Sequence, residues 1–125
     1  MIAKFLEIDK PTPSGRIYTR SVVESAVEDW KKTFKTEVMP IFNAPTATPQ
    51  VADIVGEASN IRVEDGFLIG DVGFYEERIK EVFPPEKGEV SFAIRPNGSG
   101  TADPVTNEIK EGYRIIGFAV VYNKS

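Results

Sequence analysis

The residues that could do chemistry lie in Glu89-Val90-Ser91-Phe92-Ala93-Ile94-Arg95, followed by Pro96-Asn97-Gly98-Ser99-Gly100. Val90, Phe92 and Ile94 alternate with Ser91, Ala93 and Arg95, the period of a strand with one apolar face. Ser91 and Arg95 then share the other face, and the glycines after Pro96 mark a tight turn. A serine in a strand with an arginine further along could be a nucleophile beside an anion-binding group. It could equally be a small polar residue on a sheet.

Serine hydrolysis needs a base within hydrogen-bond reach, usually oriented by a third group. The chain contains no histidine, the usual base and the commonest metal ligand, and no cysteine. Lys4, Lys80, Lys87 and Lys110 sit among polar residues, which does not suit a buried lysine base. Glu57, Asp71 and Glu89 are the strand acids that could meet as a carboxylate pair, and surface positions on a sheet are the simpler reading of them. Gly98-Ser99-Gly100 lacks the lysine and the following helix of a phosphate loop. These residues favour a binding or structural module over an enzyme, with no cofactor and no metal. A net charge of −4 makes nucleic acid a poor partner. No stretch approaches the ~20 apolar residues of a membrane span, and the N-terminus does not read as a signal peptide. The expectation is a soluble protein of the cytoplasm, or of a particle assembled there.

The expected scaffold is one α+β domain over residues 1–125, a compact unit with a mostly antiparallel sheet or partial barrel of about six strands and two helices. Strands are expected at Ile2–Ile8, at Glu37–Phe42 (broken by Pro40), at Ile54–Val63 and Phe67–Phe74 around an Asp65-Gly66 hairpin turn, at the Ser91 stretch, and at Tyr113–Tyr122. The last is nearly continuous in apolar residues and should be central and covered on both faces. Gly70 and Gly73 suggest bulges or close packing. Ser21 with Glu24 forms a capping box for a helix whose stripe is Val23, Ala26, Val27, Trp30 and Phe34, with Glu28 and Lys32 paired on its solvent face. A shorter helix over Tyr75–Phe83 places Tyr75, Ile79, Val82 and Phe83 on one side. The uncharged loop Asn43–Gln50, with Pro45, Thr46, Thr48 and Pro49, is an exposed connection or a partner contact. Thr101–Gly112, with Asp103, Pro104 and Asn107, reads as a polar loop.

Four stretches taken in order resemble the prohead (capsid maturation) protease family of tailed bacteriophages. Pro13–Arg20 with the following helix resembles its opening "N-G-R-x-Y-P" turn and helix. Val55–Gly73 is similar to its central strand pair, Glu89–Arg95 with Gly98 and Gly100 to its nucleophile strand, and Ile116–Ser125 to its closing "G-F-D-x-V-x-x-P-S". Ser91 stands at the nucleophile position. The family's first histidine falls in Phe42–Pro49, where Ala44 and Thr48 precede the prolines; its second falls near Ser59-Asn60; its closing acid is Ala119, and the proline after Tyr18 is Thr19.

The resemblance with these departures implies a protease fold without its protease, Ser91 being vestigial. It implies a virion component: a capsid auxiliary (cement or decoration) protein on the lattice of the major capsid protein, with other head proteins and self-association on the capsid as further expectations. The expected location is the virion capsid, assembled in the host cytoplasm. A chain that stops where the fold stops suits a protein retained in the finished particle. The contact surfaces expected are the Asn43–Gln50 loop, the Thr101–Gly112 loop and the chain ends. The alternatives are an active prohead serine endopeptidase using Ser91 with a non-histidine base, and a scaffold-associated assembly factor that leaves before maturation.

Overall fold

The hairpin at Asp65-Gly66 sets the register of the sheet. Both residues take left-handed φ angles, 51° and 81°, as a two-residue turn of this type requires. They join β3 (Ile54–Glu64) to β4 (Phe67–Phe74), with Glu64 opposite Phe67. The computed structural model describes residues 1–12, 15–43, 50–83, 89–96, 102–110 and 112–123. β1 (Ile2–Glu7) pairs with β4, β2 (Met39–Phe42) with β3, and β5 (Glu89–Pro96) with β6 (Ile115–Asn123), all antiparallel. β2 and β6 pair in parallel, so the six-stranded sheet is mixed, in the order β1-β4-β3-β2-β6-β5. Its edge strands β1 and β5 approach each other, nearly closing a barrel. The α+β architecture of about six strands and two helices expected from the sequence is the one observed.

The barrel interior is aromatic. Phe5 stacks on Phe118 at 3.9 Å and meets Phe92 edge-on at 5.8 Å across the β1–β5 seam. Val90, Phe92 and Ile94 face this core, as their alternation predicts. Gly70 is a close-packing glycine: a Cβ there would lie 3.0 Å from the Phe5 ring. Gly73 has open space around its Cβ direction.

The helix α1 (Arg20–Phe34) buries Val22, Val23, Ala26 and Val27. Its cap is Thr19 rather than the expected Ser21. Thr19 has the extended backbone a cap needs and accepts from the Val22 N–H at 3.4 Å, whereas Ser21 already lies inside the helix. Glu24 instead pairs with Arg20 at 3.2 Å, and Lys31 rather than Lys32 reaches Glu28, at 3.7 Å. Thr19→Ala is therefore expected to cost about 1 kcal/mol in urea denaturation, and Ser21→Ala much less. Trp30 donates to the Val38 carbonyl at 3.0 Å and steers the chain into β2.

Three further expectations change. Pro40 does not break β2; it pairs opposite Glu57 inside it, and its carbonyl lies so close to Gly117 that a Cβ there would be 2.4 Å away. The last strand begins at Ile115 and is not covered on both faces, because Val121 is 38% exposed. Tyr113, outside the strand, is buried edge-on against Tyr18 at 5.4 Å. The second helix, expected over Tyr75–Phe83, is a 3-10 turn, Glu76–Arg78, followed by α2 (Ile79–Val82), with Val82 fully buried.

The strand directions give the barrel two distinct ends. β2, β4 and β6 run toward one end, and β1, β3 and β5 start from it. That end carries Met1, Asn43, Val51–Asp53 and α2. The opposite end carries the N-terminus of α1 and residues 102–110.

Candidate functional site

Strand β5 places Ser91 on the outer face, opposite Val121 of β6, where its Oγ lies 3.5 Å from the Val121 carbonyl oxygen. On the other side is a cleft of about 300 Å³ at the β1–β5 seam, lined by Met1, Ile2, Lys4, Phe83, Val90 and Ser91, among others. Lys4 thus shares this cleft with Ser91. Its ammonium, however, lies 4.4 Å above the ring of Phe67 on β4, the neighbour of β1 on the side away from β5. That contact turns the ammonium toward β4 rather than toward the Ser91 hydroxyl.

One register step along the sheet stands the row Phe42–Ala119–Ala93, across β2, β6 and β5. Phe42 and Ala119 are buried. The position where the resemblance expects an acid is therefore a methyl group in an apolar row. Asn60, at the expected second histidine position, adopts φ 50° on β3 and donates to Asp71 at 3.4 Å. β4 and β1 lie between it and Ser91 on one side, β2 and β6 on the other. Three strand spacings of about 4.8 Å each put it well outside hydrogen-bond reach. Asp71 stands opposite Ser59 and Ile2, and Glu57 accepts from the Tyr75 hydroxyl at 3.0 Å, so neither forms a carboxylate pair with the other.

The expected contact residues separate. Asn43 follows β2 at the α2 end, while Pro45, Thr46, Thr48 and Pro49 lie outside the described residues. Asp103, Pro104 and Asn107 lie at the opposite end, beyond the start of β6. Phe42 stands opposite Ala119, so the stretch of β6 from Ile115 to Ala119 lies between the two groups. Residues 102–110 are also less of a free loop than expected. The Asp103 carboxylate accepts from Val105 N–H at 2.8 Å and Thr106 N–H at 3.1 Å, Asn107 takes φ 63°, and Ile109 is buried. Asp103 thereby folds its own turn.

Asn43 belongs to a polar cluster that the sequence does not advertise. It accepts from the Tyr122 hydroxyl at 3.3 Å, and that hydroxyl lies 3.4 Å from the Glu81 carbonyl. Arg78 grips the Glu81 carboxylate with two bonds, 2.7 and 3.0 Å, and donates to the Ile54 carbonyl at 3.2 Å. The cluster ties β2, β3, β6 and α2 together. Apart from Arg78 and Glu81, its partners lie 24 to 79 positions apart, and the one readable signal is a tyrosine at the end of an apolar strand. Arg78, with a smaller contribution from Asn43, holds the Glu81 carboxyl below its usual 4.5. A depressed folded value contributes stability above the unfolded value, lost as pH falls through the folded one. Stability is thus expected to decline below pH 4.5 through this group. Glu81→Gln should reduce that slope in denaturation series at pH 3 to 6, and an unchanged slope would contradict the assignment. Both groups are partly exposed, so the change is small.

No protein-family model and no curated protein matches the chain. Among solved structures it is similar to the bacteriophage T4 capsid assembly protease, gp21, with a TM-score of 0.70 and 17% sequence identity. The superposition covers 99% of this chain and 82% of that one. The fold is prohead-protease-like. At this identity the likeness is one of architecture, and the residues around Ser91 have to speak for their own chemistry.

Proposed function

We propose that the chain is a non-enzymatic virion protein, a capsid auxiliary (cement or decoration) protein that binds the lattice of the major capsid protein. The observation that carries this reading is the row Phe42–Ala119–Ala93 beside Ser91, in a fold shared with a capsid assembly protease. Where hydrolysis would need charge and proton acceptors there are apolar side chains. The sequence has no histidine to serve as base, and the lysine that lines the serine's cleft is turned onto Phe67. Loss of the base of a serine triad costs several orders of magnitude in rate. What such a domain retains is its surface, and in a head protein the surface is what binds neighbours.

The test is Ser91→Ala, introduced into the phage. Coat and scaffold processing, followed on gels of maturing heads, is expected to be unchanged. Arrest of processing with the substituted chain still folded would establish an endopeptidase instead. Ser91 is partly exposed on the outer face of β5 and its bond to the Val121 carbonyl is long, so the substitution should leave the fold intact.

A further inference from the structure

Apolar side chains exposed on a protein surface become informative when they gather. Met1, Ile2, Val51, Ile79, Phe83 and Val121 are exposed at or near the α2 end of the barrel, against Phe34 and Val105 at the other. The distribution follows from the chain path. β1 starts at this end, Val51 precedes β3, and Ile79 and Phe83 lie one helical turn apart on the segment that crosses from β4 to β5. Among the described residues of that segment Val82 is fully buried, while Ile79 and Phe83 remain 42% and 44% exposed. Met1, Ile2 and Phe83 line the same cleft, which joins the N-terminus to α2 in one surface.

The charges around this patch have a sign. Glu57, Glu76 and Glu77 are exposed and Asp53 partly so, and none of the four is in an ion pair among the described residues. Arg78, the cation in their midst, is engaged by Glu81 through two hydrogen bonds. Lys80 and the N-terminal ammonium are the described positive charges on the same end, and Lys4 is turned down onto Phe67.

We infer that the α2 end is the surface that docks on the capsid, and that it takes a protein face with an apolar centre and a basic rim. This rests on the coat-lattice reading and adds to it the surface used and the chemistry of its partner. Apolar contact supplies the driving force once water is excluded, while the acidic rim sets orientation and partner choice. The opposite end, with Asp103, Pro104 and Asn107, then points away from the lattice, because a barrel standing on one end cannot present both.

The test uses the full chain and coat particles assembled without it, with binding measured by co-sedimentation over a series of salt concentrations. Three variants are compared with the unsubstituted protein: Val51→Ser with Ile79→Ser, Glu76→Lys with Glu77→Lys, and Val105→Ser at the opposite end. Phe83 is left in place because its ring packs edge-on against Phe74 at 5.2 Å. The first two variants are expected to weaken binding about tenfold or more, with melting temperatures near that of the parent, and the third to bind as the parent does. Affinity of the parent should fall as salt rises. Parent-like binding by the first two variants, or a loss confined to the third, would overturn the assignment and leave the coat-lattice reading standing. Failure of the unsubstituted protein to bind would remove that reading, and the docking assignment with it.

Discussion

Phe118→Ala is expected to lower the stability of this protein by about 3–5 kcal/mol. Phe118 is fully buried on β6, and its ring stacks on Phe5 at 3.9 Å with 14° between the planes. Phe5 in turn meets Phe92 of β5, so the ring sits where the strands on either side of the seam are held together by side chains rather than by a ladder. Truncation removes the apolar transfer energy of a whole ring and leaves a cavity that three sheet strands cannot collapse to fill. Domains of this size are stable by about 5–15 kcal/mol in total, so the variant should unfold at much lower denaturant with a similar slope. A loss under about 1 kcal/mol would mean that the seam is not closed by these rings.

Gly117→Ala should be nearly as damaging, for a different reason. Gly117 has φ 145°, and a Cβ there would lie 2.4 Å from the Pro40 carbonyl oxygen and 3.1 Å from the Phe42 ring. The contact is with backbone, so either the parallel β2–β6 pairing or the local backbone must shift, at a cost of about 3 kcal/mol or more. Gly73→Ala is the matched control. Its Cβ would meet nothing within 4 Å, and its effect should stay within about 0.5 kcal/mol. Equal effects at the two glycines would show that close approach of β2 and β6 is not what fixes Gly117.

These two positions mark what the sequence could and could not disclose. The β3–β4 hairpin was readable because Asp65-Gly66 states its turn chemistry locally. The facing of β5 was readable because Val90, Phe92 and Ile94 keep a strict period. Pro40 misled because a proline's local cost is visible, while the glycine that lets it sit inside the sheet lies 77 positions away on β6. Thr19 and Ser21 are both capping types, and the choice between them turns on backbone geometry that residue types do not carry. The spacing of Ile79 and Phe83 shows that they share a side, not whether anything covers it. The composition of the Ser91 site was legible, since the absence of histidine is a property of the chain. Its geometry was not: Lys4 enters the cleft by the near-closure of β1 on β5, and Asn43 meets Tyr122 through the parallel pairing of β2 with β6.

The central claim is that a prohead-protease-like fold serves here as a part of the particle rather than as its processing enzyme. It is tested most directly by the molar ratio of this chain to the major capsid protein in purified mature particles, measured by mass spectrometry of intact chains. A ratio of one-to-one or a simple fraction of it, with the chain uncleaved, is the predicted result. A trace amount, or none, would contradict it and return Ser91 to consideration as a catalyst acting before maturation.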